Sequence, residues 1–494
     1  MFESAELGHS VSKARYEEEA PQMRADLLNV QYELKEAGRF PVIVLINGVD
    51  GAGRGETLHL LNEWLDPRYV ETRAYGVPTE DERERPPMWR FWRDLPPRGK
   101  VGLLFGSWYS LALQGDDGQG RIVDDISEHR ASAIQRFERM LVDEGALLVK
   151  FWFHLSKKEQ KNRLKSLEAD KKTRWRVTRE DWRRYKEYDK FRRVSEHLVR
   201  RTSTAEAPWH IVDGLDDRFR SLTVGHILLQ SIRRRLELPD HVGQHCEPPI
   251  MCGQLDQRNV LNALDLDLSL DKRSYSVALK LLQERLGKLS RDKRFASRSL
   301  ICVFEGNDAA GKGGSIRRMI QALDPRQCAV VPIAAPSEEE RAQPYLWRFW
   351  RKLPRQHRIT IFDRSWYGRV LVERIEGFCS EADWTRAYAE INDFEAQLVD
   401  NGAVVVKFWL AISKDEQLRR FKEREEVEFK RFKITEEDWR NREKWDAYAE
   451  AVCDMVDRTS TDIAPWTLIE ANDKRFARIK VLRTVCERLE AALA

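Results

Sequence analysis

The sequence lacks any hydrophobic run long enough to cross a membrane. Its longest apolar stretches, such as PVIVLI at 41–46, are far shorter than the ~20 residues that a spanning helix needs. The first twenty residues have no apolar core of a secretory signal and are too acidic for a transit peptide. The seven cysteines are mostly far apart, which favours reduced thiols. We therefore expect a cytoplasmic protein with no membrane partner.

The chain also has little excess charge of either sign. Its 85 lysines and arginines against 81 aspartates and glutamates leave a net charge of +4. Any affinity for a polyanion must therefore come from local clusters of charge. The hydrophobic fraction of 42% and the aromatic fraction of 10% exclude a largely disordered chain. A length of 494 residues predicts two to four domains at roughly a hundred-odd residues each.

An internal repeat is the strongest pattern in the sequence. WRFWRDLP at 89–96 recurs as WRFWRKLP at 347–354, and VKFW at 149–152 recurs at 406–409. The two offsets, 258 and 257 residues, differ by one single-residue gap. A register held over such a distance with one gap indicates a duplicated unit. We call the two copies the first and the second repeat.

The boundary between the repeats follows from composition. Residues 236–257 are rich in proline, glycine and histidine and have no helical period, which is typical of a linker. We therefore divide the chain into a first domain at 1–238, a linker at 239–257 and a second domain at 258–494.

Short apolar runs alternate with longer amphipathic stretches within each repeat. Continuous hydrophobicity is typical of parallel strands buried on both faces, and strands separated by helices predict an α/β sheet. Ligands of such sheets bind beyond the carboxyl ends of the strands. In the second repeat the predicted strands lie at 300–305, 328–333, 358–362, 403–410 and 465–470.

A glycine-rich loop follows the first of these strands. Gly306, Gly311 and Lys312 fit the pattern G-x-x-x-x-G-K between a strand and a helix. Such a loop surrounds phosphate oxygens with backbone N–H groups, and its lysine neutralises the transferring group. The alternative is a plain glycine-rich turn. The other predicted phosphate-binding residues of this loop are Asn307, Ala310, Gly313, Gly314 and Ser315.

Two aspartates are candidate ligands of a magnesium ion. Gly313 stands where such loops usually have the Ser or Thr that binds the metal, so Asp308 could supply the oxygen instead. Asp363 ends the third predicted strand, where a carboxylate holds Mg²⁺ in related phosphotransferases. Asp308 and Asp363 could therefore share one Mg²⁺, with Arg364 clamping phosphoryl oxygens. The alternative for Asp363 is a helix cap or a surface ion pair.

The WRFWRKLP stretch of the second repeat carries two further candidates. Arg348 and Arg351 share one face of a predicted helix, and Trp347 and Trp350 share another. The arginines could line the path of a long polyanion, or they could form a solvated face anchored by the tryptophans. The pattern favours neither reading.

A second charged stretch, residues 419–442, mixes both signs. Its Arg424 and Lys433 could belong to a lid that closes over phosphates and excludes water. A solvated helical hairpin explains the same pattern equally well.

The first repeat has lost much of this chemistry. Arginine is too large and planar to be a neutral replacement for the loop lysine, and a glutamate in the loop would repel phosphate. Asp50 remains opposite Asp308 but has no second carboxylate. We therefore expect the first repeat to be inactive. The replacements are Arg54 for Lys312, Glu56 for Gly314, Phe105 for Asp363, Gly106 for Arg364 and Leu111 for Arg369.

These motifs together resemble the polyphosphate kinase type 2 family over essentially the whole chain. The resemblance implies tandem P-loop kinase-like domains, similar in fold to thymidylate kinase, each with a helical lid. It implies an active second domain that moves the terminal phosphoryl group of inorganic polyphosphate to AMP, giving ADP, with Mg²⁺ as the metal. The motifs are FEGNDAAGKGGS at 304–315, WRFWRKLP at 347–354, FDRSWYGRVLVE at 362–373 and FKITEEDWRNREKWDAY at 432–448.

The resemblance also assigns roles to individual residues. Asp308 and Asp363 would coordinate Mg²⁺, and Lys312 and Arg364 would contact the phosphates. Glu373 matches a family glutamate near the site and stands opposite Gly115 of the first repeat. Lys433 matches the lid lysine, and Arg369, in the same motif as Asp363, is a further candidate for binding phosphate or nucleotide.

Two other functions fit the sequence. An ATP-dependent nucleotide kinase would use the same loop, since the loop accepts either donor. A non-catalytic polyanion- or nucleic-acid-binding protein would use the Trp/Arg stretches. The small net charge and the packing-type spacing of the aromatics speak against this second function, so we expect no nucleic-acid partner. The sequence leaves open the choice between AMP and GMP, the polymer length and a homo-oligomeric state.

Overall fold

The computed structural model describes residues 1–113, 122–238, 259–427 and 436–494. These residues form two compact units. The cysteines within them, at 302, 328, 379, 453 and 486, are free thiols. No helix in these ranges is both long enough and apolar enough to cross a membrane. The predicted linker at 239–257 lies outside the described residues, so the predicted domain boundaries stay a prediction.

Each repeat contains one parallel five-stranded sheet, as predicted. The strand orders β2-β3-β1-β4-β5 and β7-β8-β6-β9-β10 are equivalent. The strands predicted for the second repeat agree with the structure to within one residue at each end. The strands are β1 (Val42–Gly48), β2 (Val70–Ala74), β3 (Val101–Phe105), β4 (Leu147–His154), β5 (Trp209–Asp213), β6 (Ser299–Gly306), β7 (Cys328–Pro332), β8 (Ile359–Asp363), β9 (Ala403–Ala411) and β10 (Trp466–Glu470).

Helices connect the strands in the same order in both repeats. Those of the first repeat are α1 (Lys13–Ala37), α2 (Arg54–Trp64), α3 (Glu80–Arg83), α4 (Trp89–Arg93), α5 (Tyr109–Leu113), α6 (Glu128–Asp143), α7 (Lys157–Ala169), α8 (Arg179–Lys186), α9 (Tyr188–Thr202) and α10 (Asp217–Glu237). Those of the second repeat are α11 (Lys272–Leu289), α12 (Lys312–Ile320), α13 (Glu338–Arg341), α14 (Trp347–Trp350), α15 (Val372–Glu376), α16 (Glu381–Asp400), α17 (Lys414–Glu426), α18 (Glu436–Glu443), α19 (Trp445–Thr459) and α20 (Lys474–Leu493).

The residue that precedes a helix caps it with a side chain in some helices and not in others. The helices α7, α17 and α20 begin after Ser156, Ser413 and Asp473, whose side chains accept a hydrogen bond from a first-turn N–H group. By contrast, α2 and α12 begin after Gly53 and Gly311, which offer no side-chain cap. The first N–H groups of these two helices therefore have no side-chain acceptor from the residue before the helix.

The prediction that the strands are buried on both faces is wrong for β7. The side chains of β6 and β9 are almost all buried, whereas β7 is mostly exposed, with Val330 40% accessible. The reason is position, because β7 is an edge strand that pairs with β8 alone. Pro332 at its end is tolerated there, since an edge strand has unpaired N–H positions.

The register of the second sheet places its strand ends side by side. Phe304 of β6 pairs with Asp363 of β8, and Gly306 of β6 pairs with Leu410 of β9. Adjacent strands lie about 4.8 Å apart. Asp363 therefore lies next to the loop that follows β6, which is the edge of the sheet where ligands of this fold class bind.

A buried polar cluster fixes the segment that follows Asp363. Lys407 Nζ donates to Glu395 Oε2 at 2.7 Å, to the Tyr367 hydroxyl at 2.8 Å and to the Thr459 carbonyl at 2.7 Å. Glu395 Oε1 also accepts from Trp366 Nε1 at 3.0 Å and from the Tyr367 hydroxyl at 2.7 Å. The tryptophan and tyrosine that come three and four residues after Asp363 are thereby held in place.

The first repeat contains the same cluster. Lys150 donates to Glu138 at 2.6 Å, to Tyr109 at 3.2 Å and to the Thr202 carbonyl at 2.7 Å, and Trp108 donates to Glu138 at 3.1 Å. Since the repeat that lacks the loop lysine and the second aspartate keeps this cluster, its role is to hold the fold together.

Candidate functional site

The glycine-rich loop of the second repeat lies between β6 and α12, the context that its pattern predicts. A Cβ at Gly306 would lie 2.5 Å from the Leu410 carbonyl oxygen, so only glycine fits there. Gly311, at φ +105°, precedes α12, and a Cβ at Gly313 would meet no atom within 4 Å. A phosphate group can therefore approach the backbone at the start of α12.

The loop is fixed from its buried side by α17. Arg420, which is 2% exposed, donates to the carbonyls of Ala309 and Ala310 at 2.9 and 3.0 Å. It also donates to the carbonyls of Ala471 and Asn472 at 2.7 and 2.8 Å. A guanidinium with four carbonyl partners joins the loop to the residues after β10. Sequence reasoning missed Arg420, because its position in a mixed-charge helix gives no sign of these contacts.

Asp308 makes two contacts that bring predicted residues together. Its Oδ1 accepts from Arg364 Nη2 at 3.2 Å, and its Oδ2 accepts from Asn441 Nδ2 at 2.8 Å. Its backbone carbonyl accepts from Gln417 Nε2 at 3.1 Å. The loop, the end of β8 and helix α18 therefore meet at this carboxylate.

Lys312 is folded back onto the loop. Its Nζ donates to the Gly306 carbonyl at 2.7 Å and lies 3.4 Å from that of Asn307. Burial lowers the pKa of Lys312, while the nearby carboxylates of Asp308, Glu305 and Asp363 oppose this shift. A partly buried ammonium group at the start of α12 interacts more strongly with an incoming phosphate than one in bulk water does.

Glu305 is a buried acid that the sequence reading counted only as part of a strand. It is 6% exposed, and its carboxylate accepts from Ser365 Oγ at 2.8 Å. Burial raises its pKa to about 7, against the opposing effects of Ser365, Lys312 and Arg364. An acid at the carboxyl end of an otherwise apolar strand was the available signal.

A cleft opens beside the loop, and one helical face forms its opposite wall. Glu437, Asn441, Trp445 and Tyr448 are spaced by four, four and three residues, which places them on one side of α18 and α19. The same spacing is present in the sequence, where it is the signal for a shared helical face. The remaining lining residues are Glu305, Gly306, Asn307, Asp308, Arg364, Gly368, Leu371, Val372, Trp409 and Gln417.

The other predicted residues are placed as follows. Arg348 donates to the Ala334 carbonyl at 2.9 Å, and Arg90 of the first repeat makes the equivalent bond to Gly76 at 3.1 Å. Trp347 and Trp350 beside Arg348 are buried. This bond occurs in both repeats, so it positions the arginine independently of the transfer chemistry.

The remaining candidates lie near the site or outside the described residues. Arg369 and Glu373, four residues apart, form an ion pair at 3.2 Å. Arg351 is exposed, and Arg424 lies in the last turn of α17. Lys433 lies outside the described residues, as does Gly115 of the first repeat. Arg348, Arg351, Arg369, Glu373 and Arg424 are not among the described residues that line the cleft.

The equivalent loop of the first repeat is occupied by its own side chains. Arg54 forms an ion pair with Asp50 and stacks over the Phe105 ring at 5.6 Å. Arg184, which stands opposite Asn441, contacts the other oxygen of Asp50 at 3.4 Å. Two guanidinium groups therefore surround the one remaining carboxylate where a cation would bind.

The loop glutamate of the first repeat is also paired. Glu56 contacts Arg163 at 2.9 Å and the buried Arg220 at 3.3 Å. A phosphate entering this loop would meet a carboxylate and would have to break two ion pairs.

The donor set of the second repeat is compatible with Mg²⁺. No group of three or more His, Cys, Asp or Glu side chains that could hold a metal occurs within the described ranges. Mg²⁺ does not require such a group, because it is usually held by one or two carboxylates together with substrate phosphates and water. Asp308 and Asp363 offer two carboxylates of this kind.

Comparison with known families identifies the chain. A profile of the family described as polyphosphate kinase 2 (PPK2) matches residues 10–238 and matches again at 269–494. The chain belongs to the polyphosphate kinase 2 family. The two matches also confirm the predicted duplication, since each PPK2 match covers one repeat.

Individual relatives agree over the full length. A polyphosphate:AMP phosphotransferase of Pseudomonas aeruginosa is 58% identical over 492 residues, covering 100% of this chain and 99% of the relative. One of Acinetobacter johnsonii is 39% identical, covering 95% and 96%. A crystal structure described as a polyphosphate kinase 2 of Pseudomonas aeruginosa has a TM-score of 0.88 at 56% identity, with 100% and 99% coverage. The predicted two-domain PPK2 architecture is thus confirmed.

Proposed function

We propose that this protein is a polyphosphate:AMP phosphotransferase whose second repeat is the active one. The observation that carries the proposal is the meeting of Asp308, Lys312 and Arg364 at the loop between β6 and α12. Full-length relatives with this activity in their names support it.

The protein promotes this reaction by positioning the two substrates and by neutralising the negative charge of their phosphates. A phosphate oxygen of AMP attacks the terminal phosphorus of polyphosphate in line, forming the new P–O bond of ADP. The bond to the bridging oxygen of the polymer breaks, and the polymer leaves one phosphate shorter. The attacking oxygen is already anionic, so no strong general base is needed. Lys312 and Arg364 bind the phosphoryl oxygens and hold the donor in this orientation.

We assign Mg²⁺ to Asp308 and Asp363. When bound, the ion would neutralise charge on the phosphates. In the described state Asp308 is held by Arg364 and Asn441. These two side chains hold the carboxylate between the end of β8 and α18, and a bound Mg²⁺ would replace part of their contacts with it.

The remaining predicted residues divide into two sets. The loop backbone at Gly306, Asn307, Ala310, Gly311 and the start of α12, including Gly313, Gly314 and Ser315, would bind the phosphates. Contact with the polymer or the nucleotide is assigned to Arg348, Arg351, Arg369, Glu373, Arg424 and Lys433.

The first repeat does not transfer phosphoryl groups in this proposal. Its loop carboxylates are neutralised by Arg54, Arg184 and Arg163, and Phe105 replaces the second aspartate. We keep 1–238 and 258–494 as the two domains and place the protein in the cytoplasm, where AMP and reduced thiols occur together.

The test is an assay without ATP. The protein is incubated with Mg²⁺, AMP and long-chain polyphosphate, and the expected product is ADP with stepwise shortening of the polymer. GMP and each nucleoside diphosphate are supplied separately to establish the acceptor. ADP formation that depends on ATP and not on polyphosphate would support the ATP-dependent nucleotide kinase instead. The Asp363→Asn variant serves as the inactive control.

A further inference from the structure

An exposed cluster of cations lies between α7 and α8 of the first repeat. We call it the cationic loop and define it as Lys171, Lys172, Arg174, Arg176 and Arg179. All five residues are exposed. None of them forms an ion pair with a described carboxylate, whereas most exposed arginines of the first repeat do. The five cations outnumber the four carboxylates that flank them within 168–181 and repel one another, and an anionic ligand would relieve that repulsion.

The cationic loop has a defined conformation. Residues Arg174–Arg176 form one 3₁₀ turn, and Thr173 Oγ1 donates to the Leu167 carbonyl at 2.9 Å. Trp175 Nε1 donates to the Lys172 carbonyl at 2.9 Å, and the Arg176 guanidinium lies 5.4 Å from the Trp175 ring. A capping box at Thr178 then starts α8. The cations are therefore displayed on an ordered turn.

The excess of positive charge is particular to the first repeat. Residues 157–193 contain sixteen lysines and arginines against seven aspartates and glutamates, whereas the equivalent residues 414–450 contain eleven against twelve. The repeat that lost the transfer chemistry is thus the one with the more basic lid region. A domain kept only for packing has no physical need for this charge, which raises self-repulsion.

The cations of the cationic loop are not needed to neutralise the carboxylates in the glycine-rich loop of the first repeat. Asp50 and Glu56 are already paired with Arg54, Arg184, Arg163 and Arg220. A ligand that neutralises the cationic loop would therefore bind on the exposed turn, outside the glycine-rich loop.

We propose that the cationic loop is a non-catalytic binding site for the inorganic polyphosphate chain. This inference rests on the proposed function, in which that polymer is the donor. A polymer held at one point keeps its remaining phosphates at a raised local concentration around the protein, which lowers the polymer concentration needed for turnover. The first repeat then contributes affinity for the donor, and the second repeat contributes the chemistry.

Polyphosphate fits the cationic loop better than a nucleic acid does. Single-stranded nucleic acids are bound by a series of aromatic side chains on which successive bases stack. Within residues 171–179 the one aromatic side chain is Trp175, and its ring already has Arg176 as a partner. A chain of phosphates without bases needs only closely spaced cations.

The test compares two charge-matched variants of the full chain. One replaces the five residues of the cationic loop by alanine. The control replaces five exposed cations that are each paired with a carboxylate, so that the net charge changes equally: Lys13, Arg15, Arg68, Arg294 and Arg326. Circular dichroism and thermal melting establish that both variants are folded. Binding of fluorescently labelled long-chain polyphosphate is then measured at several salt concentrations.

The two variants should differ clearly. Replacing the five cations by alanine should weaken polyphosphate binding by about tenfold or more. It should also reduce the magnitude of the slope of log K against log salt by about three, whereas the control variant should keep the wild-type slope. Equal effects of the two variants would overturn the proposal. So would a single-stranded DNA oligomer of equal charge that binds the wild type more tightly than polyphosphate and loses that binding in the cationic-loop variant.

Kinetics separates this proposal from the proposed function. The cationic-loop variant should raise the KM for long-chain polyphosphate several-fold more than the KM for a donor of a few phosphates. An equal rise for both donors would contradict a docking role. If no ADP forms with any donor, the proposed function fails, but the binding measurement still decides whether the cationic loop holds polyphosphate.

Discussion

Arg364 and Gly106 occupy the same position in the two repeats and share a left-handed backbone, with φ of +82° and +74°. This conformation is easy for glycine but costs a side-chain-bearing residue about 1 kcal/mol. Among the described residues, two further non-glycine residues have a positive φ, and both stand opposite glycines: Ala309 (+63°) opposite Gly51 (+83°) and His357 (+61°) opposite Gly99 (+79°). The backbone path is therefore common to both repeats, and the second repeat keeps an arginine where glycine would fit better.

Because of this strain, we expect glycine at position 364 to raise the stability of the protein and to lower its activity. Replacing Arg364 by glycine should abolish most of the activity, because the contact to Asp308 is lost. It should leave the protein about 1 kcal/mol more stable than the Arg364→Ala variant, which loses the same contact but keeps the strained φ. Denaturant unfolding of the two variants measures the difference.

The matched control lies in the first repeat. A Cβ at Gly106 would have its nearest neighbour at 3.4 Å, so Gly106→Ala introduces strain without a severe clash. That variant should lose about 1 kcal/mol of stability and keep its turnover. Equal stability of Arg364→Gly and Arg364→Ala would show that the left-handed backbone stores no strain.

The buried cluster predicts equal costs in the two repeats. Lys407→Met leaves Glu395 as an uncompensated buried charge and should destabilise the second repeat by about 3–5 kcal/mol. Lys150→Met should destabilise the first repeat by a similar amount, because Glu138 is buried in the same way. Denaturant unfolding followed by circular dichroism checks both.

Removing the charge from the partner tests the reason for that cost. Adding Glu395→Gln to Lys407→Met keeps an acceptor for Trp366 and Tyr367 and should restore a large part of the loss. No recovery would mean that packing, and not the unpaired charge, sets the cost. A much smaller effect at Lys150 would contradict a structural role common to both repeats.

The buried acid Glu305 predicts a pH dependence of stability. Its pKa is raised from 4.5 to about 7 by burial, so the folded state binds more protons than the unfolded state between these pH values. The stability contributed by this group therefore falls as the pH rises from about 4.5 to about 7. Glu305→Gln removes the effect and should gain up to about 3 kcal/mol relative to wild type at pH 8, and little at pH 4. Unfolding midpoints at several pH values measure this.

The first repeat again supplies a control. Asn47 stands opposite Glu305 and is hydrogen-bonded to Ser107 as Glu305 is to Ser365. Asn47→Asp should therefore introduce a similar pH-dependent penalty. A difference between Glu305→Gln and wild type that does not change with pH would show that the carboxyl group does not titrate in this range.

The fold was predictable because its signal is local and occurs twice. Each strand of the second repeat is a mostly apolar run. The motifs between the strands recur in the first repeat at a constant offset, which aligns the two repeats with each other. The exposure of β7 was not predictable from its apolar residues, since it depends on which strand lies at the edge of the sheet. Strand order follows from tertiary packing, which a run of residues such as 328–333 does not encode.

Candidate site residues were recognisable in the sequence only where they carry a local signal. The loop from Gly306 to Lys312 is one continuous motif, and Asp363 ends a recognisable strand. By contrast, Asn441 reaches Asp308 across 133 positions, and Ser365 reaches Glu305 across 60. Neither pairing has a local signal, because each requires two elements to meet in the folded chain.

We propose that Asp308 and Asp363 act together on one divalent cation beside Lys312. The most direct test measures ADP formation from AMP and polyphosphate over a range of Mg²⁺ concentrations. The variants are Asp308→Asn, Asp363→Asn, their combination and the control Asp50→Asn. Each single change in the second repeat should lower kcat by roughly a hundredfold or more, with the combination little worse than either, because residues that act as a unit are not additive. Asp50→Asn should stay close to wild type. Near-normal turnover of Asp363→Asn, or losses that multiply in the combination, would contradict the claim.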